Sequence, residues 1–123
     1  MPRRIVFLLL VGATLAASVS VAWAVNRSAT SILIQRDPSF HGLVQSSDQC
    51  TPDRSVLLKL EKSDRDRTVG RTHTDAEGNW EITDANANHP LHQGDYYAKA
   101  RRVVLADGHI CKRGTSQTLQ LQP

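Results

Sequence analysis

Residues 72–82, which read THTDAEGNWEI, decide how this chain folds. Both ends of the stretch have the composition of short strands, and the segment from Asp75 to Gly78 lies between them. Aspartate begins a turn well because its carboxylate accepts hydrogen bonds from nearby backbone N–H groups, and glycine ends one because a positive φ costs it little. Trp80 then falls on the inward face of the returning strand. The stretch therefore predicts two antiparallel strands joined by a tight turn.

A calcium-binding loop is the alternative interpretation of the same stretch, because it holds three carboxylates and a histidine. Calcium loops bring carboxylates together from alternate positions, as in the pattern D-x-D-x-D-G. Only Asp75 and Glu77 occupy such positions here. The spacing thus favours a structural turn, in which Asp75, Gly78 and Trp80 shape the hairpin.

The rest of the chain repeats this pattern of short strands between turns, and no segment has a helical period. Alternation or β-branched composition predicts strands at residues 40–44, 56–61, 67–74, 79–83, 96–105, 109–112 and 118–122. Asp107-Gly108 is a hairpin signal between two of them. About seven strands separated by turns predict a single antiparallel Greek-key β-sandwich of the all-β class.

The first 24 residues have the pattern of a secretory signal. Arg3 and Arg4 precede an apolar run, and Ala22-Trp23-Ala24 offers small residues at both positions that a signal peptidase reads. We predict a signal peptide over residues 1–24, cleaved after Ala24, and no membrane span in the processed chain. The alternative is a retained anchor, because residues 5–24 are long enough to cross a bilayer. The small, Ser- and Ala-rich second half of that segment argues against it.

Removing 24 of the 123 residues leaves 99, which suffices for one domain with a modest core. We assign residues 25–38 to a flexible lead or edge segment that ends at Pro38, and residues 39–123 to the sandwich. The processed chain keeps 13 of the 15 basic residues against 12 acidic ones, a net charge of +1 with neutral histidines. This balance gives no support to a nucleic-acid site. The oligomeric state is left open.

The two cysteines, Cys50 and Cys111, both lie in the predicted secreted part of the chain. In an oxidising compartment two cysteines of a small domain most often pair with each other. Such a disulfide would close a loop of about 60 residues and stabilise the fold by roughly 4 kcal/mol. Two free thiols, or a bridge to another chain, are the alternatives.

An ordered series of short motifs resembles a known class of sandwich domains. The series includes Phe40-His41-Gly42-Leu43-Val44, Thr74-Asp75 with Gly78-Asn79-Trp80, and Gly94-Asp95-Tyr96-Tyr97-Ala98-Lys99. It is similar to small secreted actinobacterial proteins and to the prealbumin-like class, which includes carboxypeptidase regulatory-like domains and collagen-binding-adhesin B-type repeats. The chain departs from the adhesin repeats because no isopeptide-forming glutamate can be placed in it. It also lacks the C-terminal Tyr-Arg-Gly-Ser of transthyretin-like hydrolases. The resemblance implies the sandwich fold and leaves the function open.

Gly94 and Tyr96 have the spacing of a tyrosine corner. In that motif a tyrosine near the start of a strand donates its hydroxyl proton to the backbone a few residues upstream. Tyr96 is the candidate, and Tyr97 would then point outward.

Catalytic and metal chemistry find little support in the sequence. His89, His92 and Asp95 form the best metal candidate, a weak one, and a polar loop is the alternative. The sequence contains no G-x-S-x-G motif that would mark a catalytic serine. The predicted disulfide would also leave no free thiol for catalysis by cysteine. We predict a protein that is not an enzyme and has no cofactor. A small hydrolase or metal-binding protein that uses His89 and His92 is the alternative.

A basic strip, defined by Lys99, Arg101 and Arg102, follows Tyr97 in the chain, and Lys112 and Arg113 add to it. Its charges could meet acidic envelope polymers, although Glu61, Asp64 and Asp66 allow a mixed-charge surface as well. We therefore predict a secreted structural or interaction module at the cell envelope or outside the cell. Its partner would be a cell-wall polymer or another envelope protein. A polysaccharide-binding module that uses Tyr97 with the basic strip is the alternative.

Overall fold

A computed structural model describes residues 26–83, 85–88 and 91–122 of the chain. The described residues form strands and no helix, and the predicted signal peptide lies outside them. The strands are β1 (Arg27–Ser28), β2 (Ser31–Arg36), β3 (Phe40–Gln45), β4 (Ser55–Leu60), β5 (Arg67–His73), β6 (Asn79–Ile82), β7 (Gly94–Ala100), β8 (Val103–Val104), β9 (Ile110–Cys111), β10 (Gly114–Thr115) and β11 (Leu119–Leu121). Among these residues there is no helix that could cross a membrane.

The strands form two main sheets and one small one. The first main sheet has the order β2-β3-β6, and the second has the order β10-β7-β4-β5, with β11 also paired to β7. The small sheet has the order β1-β9-β8, in which β1 and β9 run parallel. The all-β sandwich is thus confirmed. The described residues form more strands than the seven predicted. Four of them, β1, β8, β9 and β10, are only two residues long.

The core lies between the inward faces of the two main sheets. The first sheet contributes Ile32, Ile34, Phe40, Val44, Trp80 and Ile82, and the second contributes Val56, Leu58, Val69, Tyr96, Ala98 and Ala100. The rings of Phe40 and Tyr96 meet across the sheets, with centroids 5.0 Å apart. Strand alternation explains most of this set because successive side chains point to opposite faces of a sheet.

Gly42 makes room for the largest core side chain. It lies opposite Trp80 on the neighbouring strand, and a Cβ at this position would come within 2.9 Å of the indole. The same Cβ would lie 1.8 Å from the backbone oxygen of Leu33. The small residue in the middle of β3 therefore lets the indole lie against the backbone.

The predicted turn residues form a tight turn in the structure. The Asp75 carboxylate accepts hydrogen bonds from the backbone N–H of Glu77 and of Asn79, at 3.0 and 2.9 Å. The bond from Asn79 is the largest cause that lowers the pKa of Asp75. Gly78 closes the turn with a φ of 92°, which favours glycine.

The Tyr96 hydroxyl donates a hydrogen bond of 2.5 Å to the backbone oxygen of His92, four residues upstream. This is the arrangement expected of a tyrosine corner. Burial, the largest effect, raises the pKa of Tyr96. Gly94 begins β7 two residues earlier, with a φ of 153°.

Of the two alternatives for the segment that ends at Pro38, the structure has the edge segment, because β2 is an edge strand of the first sheet and buries Ile32 and Ile34. One other segment differs from the sequence-based expectation. The predicted strand over residues 96–105 is divided in two. Its first part ends at Ala100, and its second part is β8, which pairs with β9 in the small sheet.

Candidate functional site

The two cysteines form the predicted disulfide. Cys50 precedes β4 and Cys111 ends β9, and their sulfur atoms lie 2.03 Å apart. Both residues are fully buried. The bridge therefore fastens the small sheet to the loop that leads into β4.

Arg54 is buried beside this disulfide, with 3% of its surface exposed. Its Nη1 donates to the Cys50 backbone oxygen at 2.8 Å and to Thr30 Oγ1 at 3.1 Å. Its Nη2 donates to the backbone oxygens of Arg101 and Lys112, at 2.8 and 3.0 Å. One guanidinium thus connects four separate segments of the chain, and its burial lowers the pKa of Arg54.

Thr74 holds the backbone of Arg54 in place. The Thr74 hydroxyl accepts a hydrogen bond from the Arg54 backbone N–H at 2.7 Å and donates one to the Thr51 backbone oxygen at 2.7 Å. Thr74 is itself buried and directly follows β5, the strand that pairs with β4. Hydrogen bonds therefore hold both the backbone and the guanidinium of Arg54 in position.

Sequence reasoning included Arg54 in the motifs that resemble the sandwich class but gave it no role, although a signal for one was present. Val56 and Leu58 point into the core, and Arg54 stands two residues before Val56. A period of two places it on the same inward face. Arg54 shares the two-residue alternation of the core residues and follows Cys50 by four positions. This pattern could have predicted that its charge is buried.

The outward face of β7 carries the first part of the basic strip. Tyr97 and Lys99 alternate there with the buried Tyr96, Ala98 and Ala100. Lys99 lies opposite Leu57, and Leu57 lies opposite Arg71, so this row carries one cation on each side of β4.

Arg101 continues the face by one more position. Its backbone N–H donates to the Ser55 oxygen at 3.1 Å, which prolongs the pairing between β7 and β4. Ser55 lies opposite His73, so Arg101 and His73 flank it on the same row. Arg102 follows in the chain, and both arginines are exposed.

A shallow groove of about 340 Å³ lies at the Tyr97 end of this face. It is lined by Glu61, Asp66, Tyr97, Lys99, Arg113, Thr115, Ser116 and Thr118. Carboxylates and cations are mixed here, as the mixed-charge alternative expects. The Tyr97 hydroxyl donates a hydrogen bond of 2.5 Å to the Asp66 carboxylate, and this bond is the main cause that raises the pKa of Tyr97 to about 12.

A second recess, of about 270 Å³, lies at the other end of the face. Its lining residues are Asp53, Arg54, Ser55, His73, Arg101, Arg102 and Val103. We call it the arginine recess. Three arginines and a histidine meet there with a single carboxylate, so its charge is predominantly positive.

A third recess, of about 550 Å³, runs between β5 and β6. Its lining includes His41, His73, Trp80 and Glu81. The Trp80 Nε1 atom is buried and has no hydrogen-bond partner among the described residues. His41 is held by the backbone oxygen of Ser39 and by the side chain of Gln35.

The weak metal candidate is only partly described. His89 lies outside the described residues, His92 is exposed, and Asp95 is half-buried in β7. Within residues 26–83, 85–88 and 91–122, no group of three or more His, Cys, Asp or Glu side chains could hold a metal ion.

Comparison with known proteins gives no further guide. No protein-family model matches the chain, and no match is found among curated proteins or among solved structures. The geometry of the outward face of β7 therefore carries the functional interpretation.

Proposed function

We propose that this protein is a secreted, non-catalytic interaction module of the prealbumin-like class that binds an acidic polymer of the cell envelope. The observation that carries this proposal is the row of cations on the outward face of the five-stranded sheet and at its end. Arg101, Arg102 and Arg71 are exposed and Lys99 is half-buried, and none of the four side chains makes an ion pair with another described residue.

Cations without partners attract a polyanion through additive contacts that salt screens. Residues 97, 99 and 101 lie on one face of an extended strand, about 7 Å apart from one to the next. A polymer with regularly spaced negative groups could follow this line. The nearly neutral net charge of the processed chain does not oppose this, because the excess of positive charge is local, at the end of the row where Arg101 and Arg102 lie.

The test is sedimentation of the purified protein with envelope material from its own cells over a range of salt. We expect binding that weakens steadily as the salt concentration rises. The double variant Lys99→Gln/Arg101→Gln should weaken it strongly. The matched double variant Lys62→Gln/Arg65→Gln removes the same two charges from the exposed β4–β5 loop and should change it little. No sedimentation at any salt concentration would contradict the proposal.

A polysaccharide ligand is the second candidate, and the groove at the Tyr97 end favours it. Tyr97 and Lys99 line that groove together with the hydroxyls of Thr115 and Thr118. Binding to a sugar polymer through the tyrosine ring would resist salt. Salt-resistant sedimentation that Tyr97→Ala abolishes would favour this candidate over the acidic polymer.

A further inference from the structure

The arginine recess has the properties of a site for one anionic group. We propose that it binds a single phosphodiester group of the acidic polymer, as a discrete subsite at the end of the basic strip. This inference rests on the proposed function and names the chemistry of the ligand. The physical reason lies in the positive charges around the recess, which the one carboxylate of its lining compensates only in part.

Arg54 provides the first reason. Its guanidinium is held by three backbone oxygens and one hydroxyl, which are all neutral groups. A buried charge without an opposite charge is unfavourable in a protein interior. Its Nε atom is also buried and has no hydrogen-bond partner among the described residues. Because this atom is buried, an anion in the recess would act on the guanidinium through its charge and would not contact Nε. An anion in the recess would provide the missing negative charge.

Arg101 and Arg102 provide the second reason. Both side chains line the recess, are exposed, and make no ion pair or side-chain hydrogen bond with another described residue. Guanidinium groups present several N–H donors in a fixed plane and bind phosphate oxygens in pairs. Asp53 is the single carboxylate of the lining, so positive charge remains in excess.

The shape of the recess favours a phosphodiester over a carboxylate. Donors come from three strands or their ends, through Arg101, Arg102, Ser55 and His73. A tetrahedral oxyanion accepts hydrogen bonds from several directions, whereas one arginine satisfies a flat carboxylate in a bidentate pair. The volume of about 270 Å³ also leaves room for the groups on both sides of a phosphodiester link.

The test is a titration of the purified protein, followed by two-dimensional NMR, with three probes. The probes are inorganic phosphate, a short synthetic phosphodiester oligomer, and a polycarboxylate of equal charge. We expect phosphate to shift the signals of Ser55, His73 and residues 101–103 while those of Tyr97 and Thr118 stay in place. The oligomer should shift the same signals at lower concentration, and the polycarboxylate should bind more weakly.

Arg102→Gln is the decisive variant, because Arg54 also holds the fold together and its loss would affect folding. Removal of one charge-assisted contact should weaken binding of the phosphodiester oligomer about tenfold. Arg65→Gln is the matched control, since it removes the same charge from an exposed position of the β4–β5 loop, outside the recess and outside the basic strip. We expect it to change the affinity less than about twofold.

The outcomes separate the subsite from the broader proposal. Equal weakening by Arg102→Gln and Arg65→Gln, or shifts spread along all of β7, would overturn the subsite and leave a diffuse basic surface. Equal binding of the polycarboxylate would also overturn it. If the parent protein binds none of the probes and no envelope material, both the subsite and the proposed function fail.

Discussion

The Arg54 guanidinium donates a hydrogen bond of 2.8 Å to the backbone oxygen of Cys50, one half of the disulfide. The same group reaches the backbone oxygens of Arg101 and Lys112, which lie on either side of the β8–β9 hairpin. A single buried cation therefore holds the loop before β4 against the hairpin. The disulfide makes the same connection covalently, so the two contacts support each other.

Loss of Arg54 should destabilise the protein severely. Arg54→Ala leaves several oxygens without their donor and opens a cavity, which should lower the free energy of unfolding by at least about 3 kcal/mol. Arg54→Lys should lower it less than Arg54→Ala does, because an ammonium keeps the positive charge and some of the donors. It should still lower it, because an ammonium cannot serve four acceptors with the planar geometry of a guanidinium. Urea unfolding measures both values. Arg71→Ala, at an exposed position of β5, is the control and should change it by less than about 0.5 kcal/mol. Equal stability of Arg54→Ala and Arg71→Ala would contradict the role of Arg54.

Reduction of the disulfide should also weaken the fold. The bridge spans 61 positions of sequence, and the chain-entropy model gives a loss of about 4 kcal/mol when it is removed. Mass spectrometry of the intact protein should show a gain of two hydrogen atoms on reduction, and the unfolding midpoint should fall. The Cys50→Ala/Cys111→Ala double variant is the control, because it should match the reduced protein. An unchanged intact mass after reduction under denaturing conditions would contradict the bridge.

Trp80 should be a major contributor to core stability. It is 3% exposed, and Trp80→Ala should cost about 3–5 kcal/mol. Trp80→Phe keeps a ring in the core and should cost less, so it serves as the matched control. Thermal melting measures both variants. A melting temperature that Trp80→Ala leaves unchanged would place the side chain on the surface.

The Tyr97–Asp66 hydrogen bond should produce a visible pH dependence. It raises the pKa of Tyr97 to about 12, above the ordinary value of about 10. Because the folded-state pKa is the higher one, Tyr97 stabilises the fold fully below about pH 10, and this contribution is lost as the pH rises toward about 12. Ultraviolet titration of tyrosinate measures the transition.

Asp66→Asn should lower the pKa of Tyr97 toward its ordinary value, because it removes both the negative charge and the strong acceptor. Asp64→Asn is the matched control in the same loop and should leave the transition in place. The chain has two tyrosines, so the Tyr97→Phe variant identifies which transition moves. If Asp66→Asn leaves both transitions unchanged, the hydrogen bond does not form in solution.

Local features of the fold could be predicted from the sequence because they depend on short-range chemistry. The inward set of β3, β4, β6 and β7 follows from alternation alone, as with Val56 and Leu58 or Trp80 and Ile82. The turn at Asp75 and Gly78 follows from the properties of two residues. The Tyr96 hydrogen bond likewise spans only four positions.

Features that depend on distant pairing could not be predicted in this way. The predicted strand over residues 96–105 is divided because Val103 and Val104 pair with β9 in the small sheet. The same holds for β2, whose buried Ile32 and Ile34 depend on pairing with β3. Sequence reasoning placed Tyr97, Lys99, Arg101 and Arg102 along one surface, but their separation into a mixed groove and a cationic recess depends on the loops around β7.

Arg54 lines the recess and also anchors the loop that carries Cys50, so a ligand bound as proposed would couple occupancy of the recess to opening of that loop. Coupling between two such events is reciprocal. If the recess holds a ligand as proposed, the ligand should slow attack on the disulfide by external thiols. Proteases should likewise cut the occupied protein more slowly than the empty one. The protein would then be degraded slowly where the polymer is abundant, and it would be degraded quickly after it dissociates from the polymer.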